Sequence, residues 1–253
     1  MKAFLIQSVF NQVVHDFSFH LIEAINYNNW YYSKPVYTYA LSETTDHPSF
    51  WGKVMSLELD NIIPIGTVEF VLEYLKRWYG IDNVRSLSIP EKLMKPEYLK
   101  RKVWYETAEQ PKINTTGKHI FVKDNTRIKG FTGVIEPNES YPAGEYLISE
   151  YVDIDTEWRA FVYRGELVGL QFYIGDFTLF PDVPLIKQMI ENFNYKSAYT
   201  LDVGINSNGT FIIECHDFFS CGLYGFADSK ILPNMFISTW NKLIGKSLYQ
   251  NFN

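Results

Sequence analysis

The sequence predicts an α+β protein built from two parts, a small α/β domain over residues 1–87 and a larger α+β domain over residues 88–253. Two patterns support this fold class. Up to about residue 85, apolar runs of strand length alternate with amphipathic helical patterns, which is the order of a small α/β layer. Beyond residue 119, short segments alternate apolar and polar residues and are joined by turn residues, which is typical of antiparallel hairpins.

The first part alternates strand and helix signals. Three strands are expected, at residues 3–10, 31–39 and 61–66, and residues 17–25 have an amphipathic helix pattern. Thr67 is expected to begin a second helix, because its hydroxyl can accept a hydrogen bond from a free amide of the first turn. That helix places apolar side chains three and four residues apart and is expected to stop at Gly80.

The second part begins with a connecting stretch, residues 88–117, which contains three prolines, many charges and room for one short helix. Arg164–Gly165 and residues 206–209 are turn signals that join neighbouring strands into hairpins. Helices are expected at residues 184–193 and 231–243. Strands are expected at residues 119–123, 131–135, 147–152, 158–163, 167–173, 200–203 and 210–215.

Composition excludes several classes of protein. The chain is 46% hydrophobic and carries a net charge of −6, so it is neither a disordered tail nor a polybasic nucleic-acid arm. Aromatic residues make up 17% of the chain, and such residues can stack on bases. A base-stacking surface normally lies in a positive field that follows the phosphates, and this chain is acidic. The aromatic residues are therefore interpreted as core volume, with no nucleic acid as partner.

The cysteine count, the first residues and the lengths of the apolar runs predict a cytoplasmic protein. The only cysteines are Cys215 and Cys221, which are too few for a disulfide framework and are expected to be reduced thiols. The first residues lack the apolar region and cleavage site of a signal peptide. No run of 18 apolar residues occurs, so no membrane partner is expected.

A first candidate for chemistry combines two lysines with a glycine loop. Lys123 ends an apolar strand, and Lys129 follows six residues later, directly before Gly130, Phe131, Thr132 and Gly133. A lysine can reach a phosphate, and glycines let backbone amides approach the same anion. Taken alone, a lysine at the end of a strand is more often only solvated.

A second candidate is the segment Glu150, Tyr151 and Val152, which is followed by Glu157 and Arg159. A strand that leaves a sheet between two lobes can offer backbone groups to an adenine edge, and a carboxylate several residues later can bind ribose. Taken alone, the segment is better interpreted as a surface strand with alternating charge.

A third candidate is a pair of carboxylates at the ends of two predicted hairpin strands. Glu214 follows Asp202 by 12 residues, and His216 lies on the same face as Glu214 if the strand continues. Two neighbouring carboxylates repel each other unless a cation neutralises them, and oxygen ligands suit Mg²⁺ bound to nucleotide phosphates. The alternative, that both carboxylates face solvent or cap turns, has about equal weight for this pair alone.

The order of these elements resembles the ATP-grasp superfamily. The similarity is closest to a mainly viral and bacterial clade named for two arginines and a lysine, and a phage or bacterial source fits it. The resemblance covers about residues 60 to 235 and implies two α+β lobes, at about residues 88–148 and 149–253, that clamp ATP after a small α/β domain. Its short motifs are IPIGTVEF at 63–70, LKRK at 99–102, HIFVK at 119–123, KGFTG at 129–133, EWR at 157–159, LDVG at 201–204, IECHD at 213–217 and GLYG at 222–225.

The resemblance implies a role for each phosphate-side residue. Lys123 would contact the α- and β-phosphates, and Arg101 would take the place of a first phosphate-binding lysine. Lys129, with Gly130 and Gly133, would form a lid over the phosphates. Arg159 would reach the γ-phosphate or the acyl-phosphate being formed, where its planar fork suits an oxyanion.

The resemblance also implies how the rest of Mg-ATP is held. Glu150 and Val152, on either side of Tyr151, would present backbone groups to adenine, and Glu157 would bind ribose. Asp202 and Glu214 would ligate Mg²⁺, and His216 occupies the position of the third metal-site residue.

Two residues depart from the family pattern. His216 stands where an Asn is usual, so it would either ligate the metal or bind a phosphate or water, with Asp217 as the alternative third ligand. Thr200 stands where many relatives have an arginine. These departures bear on activity more than on ATP binding.

The implied function is that of an ATP-dependent carboxylate–amine ligase that forms an amide bond through an acyl-phosphate. Its partners would be ATP and small-molecule, amino-acid or peptide substrates that supply the carboxylate and the amine. The alternative is an ATP-binding interaction module that has lost ligase activity. A nucleic-acid-binding protein built on the aromatic residues is a third possibility, which the negative charge disfavours.

Overall fold

The computed structural model describes residues 1–45 and 61–245. Over these residues the chain forms two compact units. The first unit comprises Met1–Asp82, Lys196–Ala198 and Phe218–Asn253, and the second comprises Asn83–Tyr195 and Tyr199–Asp217. The fold class is α+β, as the sequence predicts.

The first unit is a small α/β layer. Strand β1 (Lys2–Val9) lies at the centre of its sheet and pairs in parallel with two strands, β3 (Tyr37–Ser42) and β4 (Ile62–Ile65), and antiparallel with β2 (Gln12–Val13). Parallel pairing needs crossover connections, and the helix at Asp16–Tyr31 supplies the one between β1 and β3. The helices of this unit are α1 (Asp16–Tyr31), α2 (Val68–Tyr79) and α5 (Leu232–Leu243), the last of which follows a 3₁₀ turn at Ser229–Ile231.

Helix α2 confirms the predicted capping signals at both ends. The Thr67 hydroxyl accepts a hydrogen bond from the Phe70 amide at 3.2 Å. Gly80 ends the helix with φ = 66°, in the left-handed region that glycine adopts without strain.

The prediction of a strand over residues 31–39 was wrong in its first half. Helix α1 continues to Tyr31, and strand β3 begins only at Tyr37. The aromatic residues that suggested a strand also fit the last turns of a helix. Tyr27 packs against Trp30 and Tyr31, its neighbours three and four residues on, at centroid distances of 5.8 and 6.0 Å.

The C-terminal segment lies with the first unit, whereas the sequence placed it in the second domain. Trp240 of α5 packs edge-on against Tyr74 of α2 at 5.8 Å, and both side chains are fully buried. The Ser220 hydroxyl donates to the Gly66 carbonyl at 2.8 Å. The domain limits at residues 87 and 88 stay a prediction.

The second unit contains two four-stranded antiparallel sheets. The first sheet has the order β5-β10-β7-β8, the second has the order β12-β11-β13-β14, and β6 and β9 form a separate pair. The first sheet and that pair comprise β5 (Val103–Ala108), β6 (Lys112–Ile113), β7 (Ile120–Asp124), β8 (Thr132–Ile135), β9 (Ser140–Tyr141) and β10 (Gly144–Glu150). The second sheet comprises β11 (Thr156–Tyr163), β12 (Glu166–Gly175), β13 (Tyr199–Asn206) and β14 (Gly209–Asp217).

The hairpins of the second sheet follow the predicted turns. Arg164 and Gly165 join β11 to β12 with φ values of 55° and 80°, as a two-residue turn with both residues left-handed. Helix α4 (Val183–Phe193) packs on this sheet and is capped by Asp182, whose carboxylate accepts from the Leu185 amide at 3.0 Å.

The stretch predicted as a connection holds more structure than expected. It contains the predicted short helix, α3 (Pro96–Leu99), after a 3₁₀ turn at Glu91–Leu93, but also strand β5 and the two residues of β6. Strand β5 lies at the edge of its sheet, and Ala108 is its one fully buried side chain. An edge strand of this kind lacks the regular apolar alternation that identifies a strand in a sequence.

Among the described residues, no helix is both long and apolar enough to cross a membrane.

Candidate functional site

One face of the second sheet is apolar and the other carries the polar residues of the site. Trp158 and Ala160 of β11, Leu201 and Val203 of β13, and Cys215 of β14 lie in the core. Because successive side chains of a strand point to opposite faces, the residues next to these in each strand lie on the other face. These are Arg159 of β11, Asp202 of β13, and Glu214 and His216 of β14.

Strand register places three of these residues side by side. Arg159 is the cross-strand partner of Asp202, and Asp202 is the partner of Glu214. Two residue pairs further along, Thr200 faces His216. The predicted neighbourhood of Asp202 and Glu214 therefore exists, and the antiparallel pairing of β11 with β13 adds Arg159 to it.

Arg159 and Asp202 form a buried, two-pronged ion pair. The arginine Nε donates to Oδ1 at 2.8 Å and Nη2 donates to Oδ2 at 2.7 Å. Their side chains are only 9% and 5% exposed. Burial removes both charges from water. Loss of either partner would therefore destabilise the protein strongly, because the remaining charge would lack both solvent and its partner.

Lys123 reaches the same cluster from the first sheet. Its ammonium forms an ion pair with Glu214 Oε2, and His216 Nε2 lies 2.6 Å from the other oxygen of that carboxylate, Oε1. The structure thus brings together all four residues expected to hold the triphosphate and its metal, Lys123, Arg159, Asp202 and Glu214, with His216 beside them.

The enclosure of this cluster shifts the pKa values of its members. Burial lowers the pKa of Lys123 to about 8, against an opposing effect of the Asp202 carboxylate. Burial, helped by the charge of Lys123, lowers the pKa of His216 to about 4, so its imidazole is neutral at pH 7. Burial and the negative charge of Asp202 raise the pKa of Glu157, which Arg159 partly offsets.

The donor set fits a divalent cation. Asp202, Glu214 and His216 each offer one ligand atom, and these atoms lie within 4.8 Å of one another. Two protein cations, Arg159 and Lys123, already neutralise the carboxylates here. The position therefore accommodates positive charge, as a metal site requires.

Asp217 lies apart from this set. It follows His216 by one residue on β14, so it points to the opposite face, and its carboxylate accepts a hydrogen bond from the Tyr195 hydroxyl at 2.6 Å. Of the two alternatives for a third ligand, His216 is the one that lies with the carboxylates.

Arg101 is held by backbone carbonyls. Its Nη1 donates to the carbonyls of Leu99 at 3.0 Å and Ile212 at 2.9 Å, and its guanidinium lies 5.0 Å from the centroid of the Phe211 ring. Burial lowers its pKa to about 10. These contacts anchor Arg101 beside the second sheet, and its contact with phosphate stays a prediction.

The loop with Lys129 connects the strand of Lys123 to the next strand of the first sheet. The Asp124 carboxylate accepts from the Thr126 amide at 2.7 Å and so shapes the start of the loop. A Cβ on Gly130 would lie 2.5 Å from that carboxylate, so only glycine fits there. Lys129 itself has φ = 60°. A Cβ on Gly133 would meet only the Phe131 ring, at 3.8 Å, so this glycine is not required by packing.

The segment expected to bind adenine is partly used by the first sheet. The Glu150 amide donates to the Lys102 carbonyl at 2.9 Å, and the Tyr151 amide donates to the His119 carbonyl at 3.2 Å. The Glu150 carboxylate accepts from the Lys102 amide at 3.1 Å. These amides are therefore committed to the protein, and the predicted adenine contacts of Glu150, Tyr151 and Val152 stay a prediction.

Sequence reasoning missed two neighbours of Arg159. Gln171 is its cross-strand partner on β12, and the Tyr173 ring lies over its guanidinium at 5.6 Å from the centroid. The register shifts between Glu157 and Trp158, which leaves Tyr173 between two paired residues of β12. The alternation of β12 puts Gln171 and Tyr173 on one face, but only the pairing register assigns them to Arg159.

Comparisons with known proteins agree with this architecture. The family model of the ATP-grasp domain, R2K clade family 2, matches residues 98–233, more than half of the chain. No curated protein sequence matches the chain.

Among solved structures, the chain is similar to D-alanine–D-alanine ligase from Bacillus anthracis. The identity is 11% and the TM-score 0.54, over 96% of this chain and 98% of that one. The same ligase complexed with ATP gives 12% identity and a TM-score of 0.54, with the same coverage. N5-carboxyaminoimidazole synthetase from Staphylococcus aureus gives 11% identity and a TM-score of 0.49, over 97% of this chain and 78% of that one. The chain has the ATP-grasp fold and belongs to R2K clade family 2 of the ATP-grasp domains.

Proposed function

We propose that the chain binds ATP with a divalent cation and uses it to join a carboxylate to an amine. The observation that carries this proposal is a set of two ion pairs, Arg159 with Asp202 and Lys123 with Glu214. We call them the crossed ion pairs, because each joins a residue expected to bind phosphate to a residue expected to bind the metal. Two cations suited to phosphate and two carboxylates suited to a metal meet in one cluster. Membership of an ATP-grasp family supports the same function, as does the similar fold of a ligase that has been solved with ATP.

The crossed pairs suggest how the site changes when it is loaded. Asp202, Glu214 and His216 would hold the divalent cation, which the resemblance to the family implies is Mg²⁺. When bound, that cation supplies charge neutralisation to the phosphate oxygens. Arg159 and Lys123 would then exchange their carboxylate partners for phosphate oxygens, so no charge in the cluster is left unpaired.

The proposed reaction has two steps. A carboxylate oxygen of the first substrate attacks the γ-phosphorus, the bond to the β,γ-bridging oxygen breaks, and an acyl-phosphate and ADP form. An amine then attacks the acyl carbon, phosphate leaves with the C–O bond electrons, and the nitrogen loses a proton to give an amide. Phosphorylation is needed because an unactivated carboxylate has too basic a leaving group.

The chain's own residues contribute position and charge. The planar fork of Arg159 suits the oxyanions formed during transfer, and Lys123 neutralises the phosphates beside it. The loop with Lys129 and Gly130 would cover the phosphates and protect the acyl-phosphate from water. Val152 would offer backbone groups to adenine, and Glu157 would bind ribose.

Phosphate release from ATP, in the presence of mixed amino acids and short peptides, tests this function. The Glu214→Gln variant keeps the shape of the side chain but removes a metal ligand charge, so we expect turnover to be lost. Glu166→Gln, on an exposed position of β12, is the matched control and should retain full turnover. Full turnover in Glu214→Gln would overturn the metal assignment.

The alternative, a module that binds ATP without turnover, is favoured by one observation. The two departures from the family pattern, Thr200 and His216, face each other across β13 and β14. Calorimetry with Mg-ATP separates the two functions. Binding without phosphate release for any substrate mixture would favour the module.

A further inference from the structure

The third donor of the candidate metal site is a nitrogen. His216 Nε2 lies with one oxygen of Asp202 and one of Glu214, within 4.8 Å of one another. Nε2 lies 2.6 Å from Glu214 Oε1, so the two atoms are near enough to share an ion in place of the contact between them. The His216 side chain is 31% exposed, which leaves it open to an incoming ion.

Among the described residues, no third carboxylate joins Asp202 and Glu214 in this group. Asp217, the neighbouring carboxylate, points to the opposite face, where it accepts from Tyr195. Over residues 1–45 and 61–245, Asp202, Glu214 and His216 are the one group of His, Cys, Asp and Glu side chains close enough to share an ion.

Ligand chemistry then separates the candidate metals. Mg²⁺ is a hard cation that takes oxygen ligands and keeps several waters. Imidazole nitrogen is a good ligand for first-row transition metals, and carboxylate oxygen also suits Mn²⁺. A site with two carboxylates and one imidazole combines both ligand types.

We propose that this is a mixed nitrogen–oxygen site that takes a first-row transition-metal dication, with Mn²⁺ as the probe, in preference to Mg²⁺. His216 Nε2 binds the ion directly. The inference rests on the proposed function, since it names the metal of the same nucleotide site. The alternative is that His216 only forms a hydrogen bond with Glu214 and positions its carboxylate, without contact with the ion.

Pulsed electron paramagnetic resonance of the protein with Mn²⁺ and ADP tests direct ligation. Wild-type protein should show nuclear modulation from a directly bound nitrogen. Protein labelled with ¹⁵N-histidine should replace the ¹⁴N pattern with a ¹⁵N pattern, which excludes the adenine ring as its source. This measurement needs no variant and therefore cannot be confused by misfolding.

Variants then assign the nitrogen to one histidine. The nitrogen modulation should disappear in His216→Asn and in His216→Gln while ADP-dependent Mn²⁺ binding persists. In both variants the preference for Mn²⁺ over Mg²⁺ should fall by about tenfold or more. His20→Asn, on α1 with its side chain bonded to Glu23, is the control and should match the wild type. Circular dichroism checks that each variant is folded.

The possible failures are distinguishable. ADP-dependent Mn²⁺ binding without a histidine nitrogen signal would overturn this inference and leave the proposed function intact. A Mn²⁺ preference that His216→Asn and His216→Gln leave unchanged would also overturn it. If ADP causes no Mn²⁺ or Mg²⁺ binding at all, the proposed function fails, and the inference fails with it.

Discussion

At the scale of single residues, the site consists of charges that depend on one another. Arg159 and Asp202 are almost fully enclosed, whereas Lys123 and Glu214 keep 18% and 22% of their side-chain surface exposed. A buried ion pair adds little net stability, but loss of one partner is costly because the other charge stays in a poorly solvated position. The two pairs should therefore respond differently to substitution.

Asp202→Asn should destabilise the nucleotide-free protein by about 3–5 kcal/mol, because it removes the carboxylate charge with which the buried Arg159 guanidinium is paired. Glu214→Gln should cost only about 1 kcal/mol, since Lys123 retains some contact with solvent. Urea unfolding followed by circular dichroism measures both values. The double variant Arg159→Leu with Asp202→Leu should recover much of the loss. Equal destabilisation by the two single variants would contradict this account.

At the scale of elements, the loop between β7 and β8 depends on one glycine. A Cβ on Gly130 would lie 2.5 Å from the Asp124 carboxylate, which shapes that loop through the Thr126 amide. Gly130→Ala should therefore cost about 1–3 kcal/mol through overpacking. Gly133→Ala is the matched variant, since its Cβ meets only Phe131 at 3.8 Å, and should change unfolding far less. Thermal unfolding compares the two, and equal losses would show that the loop has a different shape in solution.

The edge strand β5 contains a carboxylate that makes stability depend on pH. Burial alone would raise the pKa of Glu106, but hydrogen bonds from Tyr141, Lys112 and Trp104 together lower it. Its stabilising effect is therefore complete above the ordinary carboxyl pKa of 4.5 and is lost as the pH falls below 4.5 and through the lowered value. In Glu106→Gln the acid loss of stability should be shallower, by about 1 kcal/mol across this range. Urea titrations at a series of pH values measure it, and an unchanged acid slope would contradict the assignment.

Elements with local signals were predictable from the sequence. The Thr67 and Gly80 caps and the Arg164–Gly165 turn depend on neighbouring residues alone, and the structure confirms them. Strand β5 was missed because an edge strand has no regular apolar alternation, and residues 31–36 were misassigned because aromatic residues fit both a strand and a helix end.

From residue spacing alone, the candidate site was predictable only where its contacts are local, and Lys123 and Arg159 were assigned to it through the resemblance to the ATP-grasp superfamily. Asp202 and Glu214 lie on one hairpin, so their spacing predicts that they meet. The contacts of Arg159 with Asp202, and of Lys123 with Glu214, join strands that are distant in the sequence. Their register and the position of Tyr173 depend on a bulge and on sheet pairing, which leave no clear pattern in the sequence.

At the scale of the whole molecule, the proposed function implies that the crossed ion pairs would link metal binding to nucleotide binding. ATP alone would bring negative phosphates to Asp202 and Glu214, and a metal alone would have to displace Arg159 and Lys123. Each ligand removes the obstacle to the other, so the two should bind cooperatively.

We expect a divalent cation to tighten ATP-analogue binding by about tenfold or more, with the reciprocal effect of the analogue on the cation. Calorimetric titrations with Mg²⁺, and with Mn²⁺, measure both directions of this linkage. In Glu214→Gln the coupling should shrink, and in the control Glu166→Gln it should be unchanged. Independent binding of cation and analogue in the wild type would contradict the exchange of partners.

A crystal structure with a non-hydrolysable ATP analogue and Mn²⁺ tests the central claim most directly, because anomalous scattering locates the ion without assumptions. The account predicts one Mn²⁺ peak at Asp202 and Glu214, with phosphate oxygens in contact with Lys123 and Arg159. An ion or triphosphate bound elsewhere, with the Arg159–Asp202 and Lys123–Glu214 pairs still closed, would contradict it.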